Sequence, residues 1–217
     1  MTLGADSMLR NISIPQLLIL LPALIIAFTI HELCHGLMAY VLGDSTAKRD
    51  GRLTLNPIRH IDPIGLICIL LFQFGWAKPV MVDPRNLKNP KIDMAFIAIA
   101  GPVSNFIMAF VTLMCIPLLL RIVPQLPEIV TSAMIQFALI NVMLGVFNLL
   151  PIPPLDGSKV IGGLLPDDIY ERYMSLARFG MPILLILMLT RITGRIIFPV
   201  IEAIFDALVT VVVMIYA

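Results

Sequence analysis

The stretch ISIPQLLILLPALIIAFTIHELCHGLMAYVL, residues 12–42, is an almost unbroken apolar run that carries two histidines and a glutamate in its C-terminal half. A helix needs about 20 mostly apolar residues to cross the roughly 30 Å hydrocarbon core of a bilayer. The run is longer than that, and it is also too long for the apolar part of a secretory signal, which spans about 7–15 residues. We therefore predict a retained membrane helix that continues to Gly43.

The composition of the whole chain indicates the same class of protein. Of its 217 residues, 59% are hydrophobic and 13% are charged, against roughly 45–50% and about 25% in soluble domains. A domain of this size buries only about 70–75% of the surface of its unfolded chain, so the apolar excess must face lipid. This composition excludes a soluble enzyme. A net charge of +1 without a concentrated basic stretch also excludes a nucleic-acid-binding protein.

Further apolar runs follow at residues 64–75, 92–120, 129–150, 175–190 and 196–216. We predict an all-α multi-pass membrane protein with about six transmembrane or partly inserted helices, forming a single domain over residues 1–217. The run 64–75 is too short to cross a bilayer alone. If it is re-entrant, the basic connections on both sides of it lie on the same, cytoplasmic face, as the positive-inside rule favours.

Two short pieces of these connections have the pattern of strands. Residues 52–55 alternate between polar and apolar ahead of Asn56-Pro57, and residues 79–82 lie between Lys78 and Asp83-Pro84. Breakers at both ends of such short runs are typical of strands. The pattern predicts a small β-sheet or hairpin at the membrane surface, and it leaves ordinary coil open as the alternative.

The segment His31-Glu32-Leu33-Cys34-His35 carries the chemistry of the first run. Positions i and i+4 of a helix share a face, so His31 and His35 can both reach one Zn²⁺, while the neighbouring Glu32 can hold a water without binding the metal. A packing role for the histidines is the alternative. Ionisable side chains inside a membrane span are costly, however, and are functional by default. His31 lies about 16 Å from Leu42 along the helix, near the middle of the bilayer core.

A catalytic zinc site usually has three protein ligands, so one more ligand is needed. We interpret His60, in a polar connection, as a solvated or loop-organising residue. Asp156 is the better candidate, because it follows an apolar run and the prolines at 151, 153 and 154, which prevent a regular helix. Non-helical backbone persists at membrane depth only if it is buried in protein or lines a wet cavity. The alternative is a solvated Asp156 in a turn at the membrane surface.

These motifs resemble those of the site-2 protease family of intramembrane zinc metalloproteases. The similar stretches are His31-Glu32-x-x-His35, Gly75-Trp76-Ala77-Lys78-Pro79-Val80, Asp83-Pro84-Arg85-Asn86, Ala100-Gly101-Pro102-x-x-Asn105 and Asn148-x-x-Pro151-x-Pro153-x-Leu155-Asp156-Gly157. They cover nearly the whole chain and resemble compact bacterial and archaeal members without a PDZ domain.

The resemblance implies one catalytic Zn²⁺ with His31, His35 and Asp156 as ligands and Glu32 as general base. It also implies that Asn148 and Asn105 lie near the site, in contact with substrate or oxyanion. The expected function is hydrolysis of peptide bonds within or next to transmembrane segments of membrane proteins.

The expected location is the prokaryotic plasma membrane, where the chain would be a multi-pass protein. Its expected partners are transmembrane protein substrates and the lipid bilayer, without nucleic acid. A homo-oligomer is a further possibility, because Glu202 and Asp206 stand four residues apart in the last apolar run and mark a face turned to the bundle interior or to another copy. Snorkelling to the interface is the alternative for these two carboxylates.

Two other functions use the same ligands. A catalytically inactive relative would bind membrane proteins without cutting them, and a divalent-metal transporter would use the histidines and the aspartate as a transport site. Glu32 distinguishes these functions, since a transporter does not need a non-ligating carboxylate beside its first histidine, and an inactive relative is expected to have lost it.

Overall fold

The computed structural model describes residues 14–72, 75–189 and 192–217, so residues 12–13, 73–74 and 190 of the predicted runs lie outside the described residues. The described chain is mostly helical, as expected from the apolar runs. Its α-helices are α1 Ile14–Val41, α2 Thr46–Arg49, α3 Pro63–Phe72, α4 Pro90–Ile122, α5 Glu128–Asn148, α6 Asp156–Leu164, α7 Asp167–Ser175, α8 Gly180–Leu189 and α9 Ile192–Tyr216. Short 3-10 turns lie at Pro57–Arg59, Pro84–Asn86 and Leu176–Phe179.

Four of the described helices are long and apolar enough to cross a membrane: α1, α4, α5 and α9. Each predicted run contains a helix, but the prediction of about six spans is not confirmed. Helices α3 and α8 have 10 residues each, or about 15 Å, which is half of a bilayer core. The turn at Leu176–Phe179 interrupts the run 175–190 and shortens its helix. Directly after this turn, Gly180 lies so close to Pro153 that an added Cβ would be 2.0 Å from the carbonyl oxygen of Pro153.

The two ends of the segment that contains α3 meet each other. The amide of Lys78 donates to the carbonyl of His60 at 2.8 Å, and Ile61 and Ala77 form an isolated antiparallel bridge. Next to this bridge, an added Cβ on Gly65 would lie 2.1 Å from the carbonyl oxygen of Trp76. The chain therefore returns to the side from which α3 started, and the basic connections before and after it lie together.

The predicted strands at 52–55 and 79–82 are not present, so the β-sheet or hairpin is not confirmed. In the part of the chain that the structure describes, the Ile61–Ala77 bridge is the single strand-like pairing. The reason is competition for the backbone groups. The guanidinium of Arg52 donates to the carbonyls of Arg59, Lys78 and Pro79, and the amide of Val80 donates to Glu32, so these groups have no part in a ladder.

Helix α4 lies at the centre of the bundle and packs against α1, α5 and α6. The buried core joins α4, α5 and α9 through Ala109, Leu113, Ala138, Val142, Val146, Ile197, Ile201 and Val212. A second contact places Ala23 and Ala27 of α1 against Ile140 of α5. Small residues at such positions let membrane helices approach closely. This packing brings α1, α4 and α6 to a common point.

Helix α9 carries two exposed carboxylates, those of Glu202 and Asp206. Asp206 lies near the middle of the candidate span Arg195–Tyr216. Neither residue is turned into the bundle interior, which was one of the two orientations that the sequence left open.

Candidate metal centre

Three of the predicted site residues come together between α1 and α6. Nε2 of His31 lies 3.1 Å from Oδ2 of Asp156, Nε2 of His35 lies 3.0 Å from the same oxygen, and the two Nε2 atoms are 3.0 Å apart. All three residues are buried, with exposed fractions between 3% and 8%. They form the one group of potential metal ligands within the described residues that satisfies the distance requirement for a shared ion. Asp156 is thus not solvated, although its role as a ligand stays a prediction.

The local backbone explains how Asp156 reaches this point. Helix α5 ends at Asn148, and residues 149–155, which contain the three prolines, form no helix. Leu155 is extended, and Asp156 is the first residue of α6. The expected break in the helical backbone is therefore present. It lies between α5 and α6 and places the carboxylate of Asp156 in the interior of the bundle.

The hydrogen bond made by Nδ1 of His35 fixes the tautomer of this ring. Nδ1 lies 2.7 Å from the carbonyl oxygen of Ile97 on α4. A carbonyl can only accept, so Nδ1 carries the hydrogen and Nε2 of the neutral ring presents a lone pair to the site. A metal-bound histidine is usually oriented in this way.

His31 is oriented by a chain of two buried amides. Asn141 donates through Nδ2 to the carbonyl of Phe137 at 2.9 Å, so its Oδ1 accepts from Nδ2 of Asn105, also at 2.9 Å. Oδ1 of Asn105 then accepts from Nδ1 of His31 at 2.6 Å. The backbone carbonyl of Phe137 can only accept, and this fixes the direction of all three hydrogen bonds between it and His31. Nε2 of His31 is left with a lone pair that faces the site.

This donor set fits a zinc ion. Three atoms with lone pairs face one another at 3.0–3.1 Å, and in these tautomers no hydrogen lies between them, so a cation shared by all three would make the arrangement favourable. Ligands about 2.0–2.1 Å from a tetrahedral Zn²⁺ are separated by about 3.3 Å. Two imidazoles and one carboxylate, each ring fixed through its other nitrogen, are a usual catalytic zinc set that leaves a fourth position open.

Glu32 stands beside these ligands but has a different partner. Its Oε2 accepts a hydrogen bond of 2.8 Å from the backbone amide of Val80. The side chain is half-buried, and it does not belong to the ligand group of His31, His35 and Asp156. The segment that follows α3 therefore holds one carboxylate oxygen of Glu32, Oε2. The contact with Val80 does not involve the other oxygen, Oε1.

Gly101 on α4 closes one side of the site. A Cβ added at this position would lie 2.4 Å from Nε2 of His35 and 2.7 Å from Cε1 of His31. Real Cβ contacts are essentially never shorter than 3.0 Å. Only a glycine lets α4 approach both imidazoles so closely, which gives a reason for the Gly101 in the segment Ala100-Gly101-Pro102.

Asp44 fixes the segment that bears Val80 relative to the end of α1. Its carboxylate accepts from the amide and hydroxyl of Thr46, the amide of Asp83 and Nδ2 of Asn86. Burial by itself raises the pKa of Asp44, but these hydrogen bonds outweigh burial and hold the pKa below its ordinary value. A charged Asp44 therefore ties residues 83–86 to the helix that carries His31 and His35.

The remaining predicted residues are placed differently. Nδ2 of Asn148 donates to the carbonyl of Leu144 in its own helix. Asn105 contacts His31 and Asn141, so in the structure it orients His31, and its expected contact with substrate or oxyanion stays a prediction. His60 is not solvated, since it is 1% exposed, but it does organise its loop, because its Nε2 donates to the carbonyl of Thr54 at 2.9 Å.

Asn141 is a site residue that the sequence analysis missed. It is fully buried and lies in the middle of the apolar run 129–150, where an amide has few water partners. The rule that was applied to His31, that polar groups inside a span are functional by default, would also have selected Asn141.

We predict that Asn141→Leu lowers the zinc affinity by up to about tenfold, the lower end of the roughly 10–100-fold effect of removing an outer partner of a metal ligand, because Asn141 acts on His31 through Asn105. The change leaves Asn105 without the acceptor that sets its direction and so frees the ring of His31. Zinc titration against a competing chelator measures the effect. Asn148→Leu is the matched control, because Asn148 also bonds a carbonyl four residues earlier in the same helix and should leave the affinity unchanged.

Comparison with known proteins gives consistent matches. Residues 120–190 match the family model described as Peptidase family M50. The chain is 40% identical over 184 residues to "Putative zinc metalloprotease YwhC" of Bacillus subtilis, covering 83% of this chain and 84% of that protein. It is 25% identical over 187 residues to "Putative zinc metalloprotease Rip2" of Mycolicibacterium smegmatis, and 26% identical over 188 residues to the protein of that name from Mycobacterium tuberculosis H37Rv, in each case covering 84% of this chain and 71% of the relative. No solved structure matches the chain.

Proposed function

The chain belongs to peptidase family M50, the family of the site-2 proteases, and on this basis we propose that it is a zinc-dependent endopeptidase that cuts peptide bonds within or next to transmembrane segments of membrane proteins. The observation that carries the proposal is the convergence of His31, His35 and Asp156 inside a bundle of membrane-length helices, with Glu32 beside them. The names of the relatives support a zinc metalloprotease.

Three residues would hold the metal: His31, His35 and Asp156. When bound there, zinc would supply Lewis-acid chemistry, lowering the pKa of a water and polarising the carbonyl of the peptide bond. Glu32 accepts the proton of the attacking water and delivers it to the leaving amine, so that one water and one peptide bond become a carboxylate and an amine. The amide of Val80 holds Oε2 of Glu32, and Oε1 would be the oxygen that accepts the proton.

The position of the site supports cleavage at membrane depth. His31 lies about 15 Å from Val41, the last residue of α1, at a rise of about 1.5 Å per residue. That distance is about half of a bilayer core. The burial of the ligands inside the bundle keeps the polar atoms away from lipid.

We propose that the protein is a multi-pass protein of the cell membrane. Its substrates would be transmembrane proteins, and its partners would be these substrates and the lipid bilayer, without nucleic acid. A second copy would cover Glu202 and Asp206, which otherwise face lipid at high cost. Crosslinking in liposomes would test this homo-oligomer, and a monomer at all protein-to-lipid ratios would contradict it.

Removal of zinc tests the proposed chemistry. We expect a chelator to stop cleavage of a transmembrane test substrate in liposomes and to lower the melting temperature by about 5–10 °C, since a cation that binds only the folded protein at 100 times its Kd stabilises it by about 2.7 kcal/mol. Added zinc should restore both properties.

The matched control for this experiment is Asp156→Asn. Its melting temperature should not respond to zinc, because the anionic ligand is lost. Cleavage that persists through complete removal of metal from the wild-type protein would refute the proposed mechanism.

A further inference from the structure

Arg52 is a buried cation whose partners are backbone carbonyls. The residue is 6% exposed, and its guanidinium donates to the carbonyls of Arg59, Lys78 and Pro79. It takes part in none of the salt bridges among the described residues. Removing a cation from water is costly, and several fixed acceptors around the planar fork of the guanidinium are needed to offset that cost. Arg52 therefore joins the turn before α3 to the segment after it.

One peptide group connects Arg52 to Glu32. The carbonyl of Pro79 and the amide of Val80 belong to the same peptide group, whose bond is trans. The guanidinium of Arg52 donates to its oxygen at 3.0 Å, and its N–H donates to Oε2 of Glu32 at 2.8 Å. A trans peptide group is planar, and its oxygen and hydrogen point in opposite directions. The guanidinium and the carboxylate therefore lie on opposite edges of one rigid plane.

Two further contacts hold this segment against α1. The carboxylate of Asp44 accepts from the amide of Asp83 at 2.8 Å, beyond Val80 in the chain. The side chain of Val80 lies so close to α1 that a Cβ added on Gly36 would be 3.6 Å from its Cγ1. Asp44 therefore fixes the far end of the segment, whereas Arg52 fixes the peptide plane that contacts the proposed base.

We propose that Arg52 is a positioning residue of the protease: it fixes the orientation of the peptide group between Pro79 and Val80 and, through that group, aligns Glu32. If the plane turned over, the carbonyl of Pro79 would face the carboxylate of Glu32, and two acceptors would repel each other. The guanidinium opposes this rotation because it would lose its bond to the same carbonyl, and hydrogen bonds from a charged donor are among the stronger ones. This inference rests on the proposed function, because it concerns the base of the same reaction.

The first test is cleavage of a transmembrane test substrate by Arg52→Lys, with the full chain and zinc in liposomes. Lysine keeps the charge but lacks the planar fork that binds several carbonyls at once. We expect kcat to fall by up to about 100-fold, the loss that a displacement of about 1 Å can cause. KM and zinc affinity should stay unchanged, because the three proposed ligands are untouched. Arg49→Lys is the matched control, because Arg49 is exposed in the same connection and donates to the hydroxyl of Thr46; it should leave kcat unchanged.

The second test observes the contact itself and does not need cleavage. The amide signal of Val80 is followed by NMR in protein with isotope-labelled valine and is assigned by its loss in Val80→Ile. In the wild-type protein this amide should exchange slowly with solvent, because it is bonded to a carboxylate. Glu32→Gln shows how the signal moves when the charged acceptor becomes neutral. Arg52→Lys should move the signal in the same direction and speed its exchange, and Arg49→Lys should leave it in place.

The outcomes separate the two proposals. A wild-type protein that binds zinc and cleaves nothing contradicts the proposed function, while the Val80 signal still tests the contact. An unchanged kcat in folded Arg52→Lys contradicts the positioning role alone, and so does a lower kcat with an unmoved Val80 signal or with an equal loss of zinc affinity. If Arg52→Lys fails to fold, the wild-type protein decides, because rapid exchange of the Val80 amide would show that the peptide plane is not held.

Discussion

Glu32→Gln is expected to lower the cleavage of a transmembrane substrate by about 10²–10⁴-fold while the protein keeps its zinc. Glutamine has almost the same size as glutamate, and its side-chain oxygen can still accept the hydrogen bond that Glu32 receives from the amide of Val80. It cannot take a proton from water at neutral pH. Since His31, His35 and Asp156 are unchanged, metal analysis and a cleavage assay on the same sample separate base chemistry from metal binding.

Glu202→Gln is the matched control for this variant. Glu202 is also a glutamate in a membrane-length helix, but it is exposed on α9, away from the ligands. Its replacement should leave both zinc and cleavage unchanged. Full cleavage by Glu32→Gln would contradict the assignment of the base, and zinc flux through liposomes containing the wild-type protein would favour a transporter instead.

Gly101→Ala is expected to lower zinc affinity by at least about 100-fold and to abolish cleavage with it. The added methyl group would lie 2.4 Å from Nε2 of His35, the proposed ligand atom, and 2.7 Å from Cε1 of His31. Either α4 moves away from α1, which breaks the bond from His35 to the carbonyl of Ile97, or the rings turn away from Asp156. Both movements separate the ligands, and zinc titration with a melting curve reports them.

Gly145→Ala distinguishes damage to the site from damage to packing. An added Cβ on Gly145 would lie 2.9 Å from the ring of Phe106, so this variant also overpacks a helix contact, at a usual cost of about 1–3 kcal/mol. We expect it to lower the melting temperature while zinc affinity is kept. Equal losses of zinc affinity in the two variants would show that Gly101 has no special place beside the metal.

The parts of the molecule that depend on local spacing could be predicted from the sequence. One turn of helix separates His31 from His35, so their common face required no tertiary information. The break before Asp156 was also predictable, because prolines at 151, 153 and 154 leave the backbone without the donors that a helix needs. The geometry brings these groups together at 3.0–3.1 Å.

The parts that depend on competition between distant groups could not be predicted. Residues 79–82 have a strand pattern, but the amide of Val80 finds the carboxylate of Glu32, 48 residues earlier in the chain, and the carbonyls of Lys78 and Pro79 are taken by Arg52. A pattern of polar and apolar residues contains no information about such partners. The predicted strands are not confirmed for that reason, and the coil that the pattern left open is present.

The burial of polar residues was predicted unevenly. His60 was interpreted as solvated or loop-organising because its neighbours are polar; it does organise its loop, but the return of the chain after α3 buries it. Asn105 was associated with the site through the resemblance, but the amide chain to Asn141 that explains its position requires the packing of α4 on α5.

The separation of the ligands along the chain has a consequence for biosynthesis. His31 and His35 leave the ribosome before Asp156, which follows His31 by 125 residues, after the whole of α4 and α5. A nascent chain that has inserted α1 therefore possesses the proposed base and two ligands but not the third. The three proposed ligands can therefore meet only after α4 and α5 have been translated and α6 has docked.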